Sequence, residues 1–220
     1  MSSFPGPREY VRFVEAREAA KAKEAREGEM AGNRPGHPDI VTRYPADYKP
    51  SPADAPLPRV DGPHDSPEGW VGAINPERDP SRGDMSRWLN CGECSRATDG
   101  TWQGYPKVAQ AIDFPRLGGE DKERMEEWAG TECRDASMTD IEQALDRLGP
   151  GSSAIVGFFR ESGGGHWFNA VNDAGTVKAV DGQVGAIESW PPSDEGLGFT
   201  EQDMRDSFAI YVKPDGKVVK

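Results

Sequence analysis

Gly165-His166-Trp167-Phe168-Asn169-Ala170-Val171-Asn172-Asp173-Ala174-Gly175-Thr176-Val177-Lys178-Ala179-Val180-Asp181 is the stretch that decides the fold. Two short runs rich in β-branched and aromatic residues flank Asp173-Ala174-Gly175, a turn signal, so the stretch reads as a hairpin. Upstream, Ser153 to Arg160 is a further strand, closed by Gly163-Gly164-Gly165. Downstream, Phe208 to Lys213 reads as a last strand, after a short capped helix from Thr200. The segments before Ser153 have a different period. Asn90 to Ala97 is expected to be a short helix with Asn90 capping its free N–H groups. Asp121 to Trp128 is a second helix. Thr139-Asp140-Ile141-Glu142 reads as a capping box opening a third, which puts Ile141, Leu145 and Leu148 on one face and stops at Gly149-Pro150. Helices first and an antiparallel meander afterwards make an α+β order, with no internal repeat.

The folded part is expected to begin at Trp70-Val71-Gly72-Ala73-Ile74-Asn75-Pro76 and to occupy residues 70–220. Ahead of it, 13 of the 19 prolines fall in the first 80 residues. Arg8 to Met30 reads as a charged helix, either solvated or a docking segment. Ala31 to about Glu68 is too poor in apolar residues to offset its ordering entropy, so residues 1–69 divide into that helix and an extended stretch.

Charge and composition exclude several classes. The 220 residues carry 26 Lys and Arg against 38 Asp and Glu, a net charge of -12, the reverse of a nucleic-acid-binding footprint. Anionic membrane surfaces are poor partners for the same reason. No run of eighteen apolar residues occurs, and Met1 to Pro7 has neither a basic nor an apolar region of a secretory signal. Cys91, Cys94 and Cys133 are too few for a disulfide framework, so reduced thiols in a cytoplasmic compartment are expected.

Histidine-dependent chemistry has three candidates: His37, His64 and His166. The first two lie in the Pro-rich stretch and read as solvated. His166 opens a strand directly after three glycines. Asp181 ends the partner strand fifteen residues later, so one tight turn should bring the two side chains together. An aspartate there can accept from the imidazole Nδ1–H and fix its tautomer. Gln183 lies two residues on and faces the same way if the strand continues. A satisfied strand-end pair would look alike; a nearby nucleophile is what would give it a task.

Cys91 follows the expected cap and would sit at a helix N-terminus, where a thiolate is favoured. Cys94 lies one turn further. Both could equally be small buried side chains. A zinc knot of Cys91, Cys94, Cys133 and His166 is a further alternative, with half of the usual spacing. The zinc nucleobase-deaminase pattern fails, since no histidine is followed two residues on by Glu and Asn90 stands where that pattern has Pro.

Taken together, Asn90-Cys91-x-x-Cys94, Gly165-His166-Trp167-Phe168-Asn169-Ala170-Val171-Asn172, Gly175-x-Val177 and Asp181-Gly182-Gln183-x-Gly185 resemble the papain-fold toxin family of glutamine deamidases, effector domains of bacterial polymorphic toxins. The resemblance spans roughly residues 70 to 215. It implies a papain-like cysteine hydrolase fold, with N-terminal helices packed on an antiparallel sheet, and a Cys91–His166–Asp181 triad. It further implies oxyanion or substrate contacts from the Cys91 N–H and from among Asn90, Gln183 and Trp167. No cofactor and no metal are expected. The implied partners are a target protein carrying the substrate glutamine and a cognate immunity protein, and the implied site of action is a target-cell cytosol. The same triad could serve a cysteine protease or a transglutaminase-type acyl transferase. A papain-like shell could also be kept as a non-enzymatic binding or virion-structural module.

Overall fold

Among the described residues six strands form one sheet in which every pairing is antiparallel: β1 (Arg134–Asp135), β2 (Ser153–Phe159), β3 (Gly165–Asp173), β4 (Thr176–Asp181), β5 (Ala186–Ser189) and β6 (Asp206–Val212). Their order is β1-β6-β2-β3-β4-β5, so β2 and β3 lie at the centre. The computed structural model describes residues 64–76, 78, 87–111, 121–160, 164–193, 197, 199, 204 and 206–220. The charged helix expected over Arg8–Met30, the Pro-rich stretch before His64, and the short helix from Thr200 lie outside them, apart from its position 204.

The β3–β4 turn is built as its sequence suggests. Ala174 and Gly175 both take positive φ, 51° and 95°, which matches the twist of the flanking strands. Asn172 Oδ1 accepts the Gly175 N–H at 2.8 Å, fixing the turn from within. Alternation along β3 then serves two cores. Phe168 and Ala170 join Ile141, Leu145, Val156 and Ala209 on one face. Trp167 joins Cys91, Ile155 and Ile210 on the other, while Val171 meets Trp102 and Val180. A sheet covered on both faces explains why β2 reads as a nearly unbroken apolar run. β1 and β5 were not expected; one has two charged residues and the other three half-buried residues and one exposed, too short for a period to show.

Three helices are present among the described residues: α1 (Cys91–Trp102), α2 (Lys122–Ala129) and α3 (Met138–Leu148). The mixed α+β class is therefore as expected. α1 runs five residues past Ala97, through Gly100. The cost of a helical glycine, about 1 kcal/mol, is outweighed by the burial of Trp102, whose Nε1–H donates to Gly151 O at 2.9 Å. The capping box of α3 is built on Ser137 and Asp140, not on Thr139 and Glu142. The same spacing occurs twice, two residues apart, and the earlier register also buries Met138.

His64 departs from its expected place in solvent. Its N–H donates to Trp102 O at 2.8 Å, and its ring lies 5.2 Å from the Trp102 ring, with Nε2 3.3 Å from Gln103 Oε1. The chain thus already docks at His64, before the boundary expected near Trp70. Glu68, in the short turn Pro67–Gly69, pairs with Lys178 at 2.7 Å.

Beneath Trp102 lies a buried carboxylate. Asp99 Oδ1 accepts from Ser153 Oγ at 2.6 Å, and burial pushes its pKa from 3.8 to about 6, against the pull of that bond and of Lys107. An acid raised on folding contributes most below its unfolded pKa, so this contribution is lost as pH rises from about 4 through about 6. Asp99→Asn is therefore expected to stabilise the fold by on the order of 2 kcal/mol at neutral pH, with the gain vanishing below about pH 4. Urea unfolding at the two pH values checks this.

Candidate active site

Cys91 is the first residue of α1. Asn90 precedes it with φ -92° and ψ 29°, and its side chain does not cap the helix as expected. The amide turns instead to Asn75 and to Gln110 O, the latter at 3.0 Å. The first intrahelical bond runs from Cys94 N to Asn90 O, 2.9 Å. The N–H groups of Cys91 and Gly92 thus have no acceptor within the helix and define its positive end at the sulfur. The Cys91 residue is 5% exposed.

His166 and Asp181 meet. Nε2 of the imidazole lies 2.8 Å from Asp181 Oδ2, with the residues 9% and 1% exposed. The nitrogen is the opposite of the one expected: Nε2 takes the carboxylate, leaving Nδ1 for another partner. The β3–β4 ladder ends at the Asn169–Val180 pair, so β3 is no longer paired with β4 where His166 stands. Asp181 pairs onward with Ala186 of β5 and then turns. Its other oxygen, Oδ1, accepts the N–H groups of Gln183 at 2.8 Å and Val184 at 3.4 Å, which lock the carboxylate. Phe158, Phe168 and Phe199 surround the imidazole at 6.0, 6.4 and 5.3 Å.

This environment sets the proton. Burial among aromatic rings would depress the imidazole pKa. The Asp181 carboxylate, followed by a hydrogen bond with Cys91, outweighs it and raises the pKa to about 10. The imidazole is therefore held as a cation near neutrality, with a carboxylate on one side and the Cys91 sulfur on the other.

Other expected residues stand further back. Gln183 Nε2 donates to Trp88 O at 2.9 Å. The Trp167 ring packs on Phe208 at 5.2 Å, in the cluster that also holds Cys91. Asn90, Gln183 and Trp167 thus support the residues around the thiol. Asn75 is the site residue that sequence reasoning missed. Its only signal was a polar side chain ending the apolar Val71–Ile74 run, and its partners are remote in sequence.

Cys94 packs with Ile74, Ala97 and Ala109, and burial drives its thiol well above the ordinary range, Asp181 and Cys91 adding to it. Burial and Glu126 push Cys133 up to about 12. Among the described residues no three His, Cys, Asp or Glu side chains gather as a metal site requires. Iodoacetamide is expected to modify Cys91 well before Cys94 or Cys133 at neutral pH, because only thiolates react. Peptide mass mapping over a short time course reads this order directly.

Residues 89–186 match the family model described as papain fold toxin 1, glutamine deamidase. The match runs from two residues before Cys91 to the first residue of β5, and so contains Cys91, His166 and Asp181. Over that stretch the chain is similar to the papain-fold toxin family. No curated protein and no solved structure matches it.

Proposed function

We propose that the protein is a toxin-type deamidase that converts a glutamine side chain of a target protein into glutamate, with Cys91 as nucleophile, His166 as acid and base, and Asp181 as orienter. The observation that carries this reading is the 2.8 Å His166–Asp181 pair facing the thiol at the head of α1, inside the segment that matches the deamidase family.

The chemistry follows from where the protons sit. With the imidazole held as a cation, the Cys91 sulfur attacks the carboxamide carbon as a thiolate, and the carbonyl oxygen becomes an oxyanion at the positive end of α1. The Cys91 N–H donates to it. Asn90 and Gln183 already spend their amides on backbone carbonyls, so they act behind this donor rather than in its place. His166 gives its proton to the departing nitrogen, ammonia leaves, and a thioester joins Cys91 to the substrate. Neutral His166 then takes a proton from water, the hydroxide adds to the thioester carbon, and the thiolate leaves with glutamate as product. One water is consumed and one ammonia released.

The substrate is a target protein, met in the cytosol of a target cell, and a cognate immunity protein would block access to Cys91. No helix among the described residues is long and apolar enough to cross a membrane. Intact-mass analysis of target-cell proteins after exposure to the wild type and to Cys91→Ala tests the reading. Deamidation adds about one dalton to an uncut chain. Shortened chains would indicate proteolysis, and amine-linked adducts transglutamination.

A further inference from the structure

Asn75 is 7% exposed and takes no part in the chemistry above. Its Nδ2 donates to Arg87 O and to Gln183 O, both at 3.1 Å, and lies 3.3 Å from Asn90 Oδ1. Asn90 Nδ2 returns a bond to Asn75 Oδ1 at 3.3 Å. One carboxamide therefore touches the residue immediately before Cys91 and the residue two past Asp181. Gln183 completes the stitch: its N–H holds Asp181 Oδ1, while its side chain reaches Trp88 O. Between these bonds Gly182 approaches so closely that a Cβ would collide with Thr98 Oγ1 and Ile74. A buried amide with each of its donors and its acceptor engaged is costly to place, and its partners must stay where they are.

We propose that Asn75 is a positioning residue, clamping the Asn90–Cys91 start of α1 to the Asp181–Gln183 turn so that thiol, imidazole and carboxylate keep one register. The proposal rests on the reading of Cys91 as nucleophile. Cys91 and His166 reside on different elements, and α1 packs on the face of the sheet that carries Trp167, the side chain next to His166. The β3–β4 ladder ends at Asn169 and Val180 and holds α1 further along, at Ser95; the amides of Asn75, Asn90 and Gln183 link the helix start itself to the turn. Side-chain bonds suit the task because they span segments far apart in the chain, 108 residues in the case of Asn75 and Gln183. A displacement of about 1 Å in such an arrangement costs on the order of 100-fold in turnover.

The test uses the full chain and reads the thiol without any substrate. Iodoacetamide alkylation of Cys91 is followed by peptide mass mapping from about pH 5 to about pH 9, in the wild type, Asn75→Ala and Gln183→Met. The expected result is a cooperatively folded Asn75→Ala protein whose Cys91 alkylates at least about tenfold more slowly near pH 6 and at the wild-type rate near pH 9, because the imidazole no longer holds the thiolate. Ammonia release should fall on the order of 100-fold in kcat with KM little changed. Gln183→Met should shift the profile the same way. Folded variants whose alkylation profiles overlay the wild type would overturn the proposal. So would loss of folding in both variants, which would make the amides structural. A wild-type chain that releases no ammonia, but whose low-pH reactivity disappears in Asn75→Ala, would refute the deamidase reading and keep the clamp. A wild-type Cys91 without low-pH reactivity would sink both.

Discussion

Cys91→Ala is expected to eliminate ammonia release while leaving the protein folded. Removal of the nucleophile from a working triad costs on the order of a million-fold in kcat, because no other group can form the covalent intermediate. Cys94 cannot substitute. It is one turn along α1, packed against Ile74 and Ala109, with its thiol held protonated by burial. Cys91→Ser should be nearly as inactive, since a serine hydroxyl is far harder to ionise than a thiol, even beside an imidazole held as a cation. The fold should survive both changes. Each replaces one side chain at the head of a helix whose other end is anchored by Trp102 and whose flank is tied by Asn169 Nδ2 to Ser95 O at 3.2 Å. Coupled ammonia detection and thermal unfolding of the three proteins check both parts. Cys94→Ser should retain most turnover, and a Cys91→Ala protein that still releases ammonia would remove Cys91 from the mechanism.

The sequence carried some of this site and not the rest, and the division has a physical cause. Strand pairing is local across a tight turn. The period-two runs on either side of Asp173-Ala174-Gly175 were therefore enough to bring His166 and Asp181 together. The start of α1 was legible because the chain changes character at Asn90; its end was hidden by Gly100, whose local preference is overruled by burial of Trp102. The choice of ring nitrogen could not be read. It depends on how the imidazole rotates among Phe158, Phe168 and Phe199, and two of these come from other segments. The expected cap by Asn90 failed for a related reason. A buried carboxamide bonds wherever it finds satisfied geometry, and Asn75 offered a reciprocal pair. Docking of His64 on Trp102 was invisible because nothing in a Pro-rich stretch announces which residue will meet a distant ring.

Asp181→Asn is expected to lower turnover by on the order of 10⁴ with the fold intact, by analogy with the aspartate of the serine triad. The geometry says why so small a change should matter. Asp181 Oδ1 accepts two backbone N–H groups, so an asparagine oxygen will keep that position and its amide nitrogen must take the place of Oδ2. The amide N–H then faces His166 Nε2, where the wild type has an acceptor 2.8 Å away. Two donors cannot share the contact. The imidazole will discharge its Nε2 proton and carry one on Nδ1, towards Cys91, and a ring in that tautomer cannot take the thiol proton. Stability should report the same event independently of activity. In the wild type the imidazole pKa is raised from 6.5 to about 10, so its contribution is complete below about pH 6.5 and is lost as pH climbs through about 10. Asp181→Asn removes the principal cause of that rise. Its melting temperature should therefore lose the alkaline decline that the wild type shows between those pH values, and the two curves should converge at the alkaline end. A variant that keeps wild-type turnover, or keeps the alkaline decline, would mean that the carboxylate neither orients nor charges the imidazole.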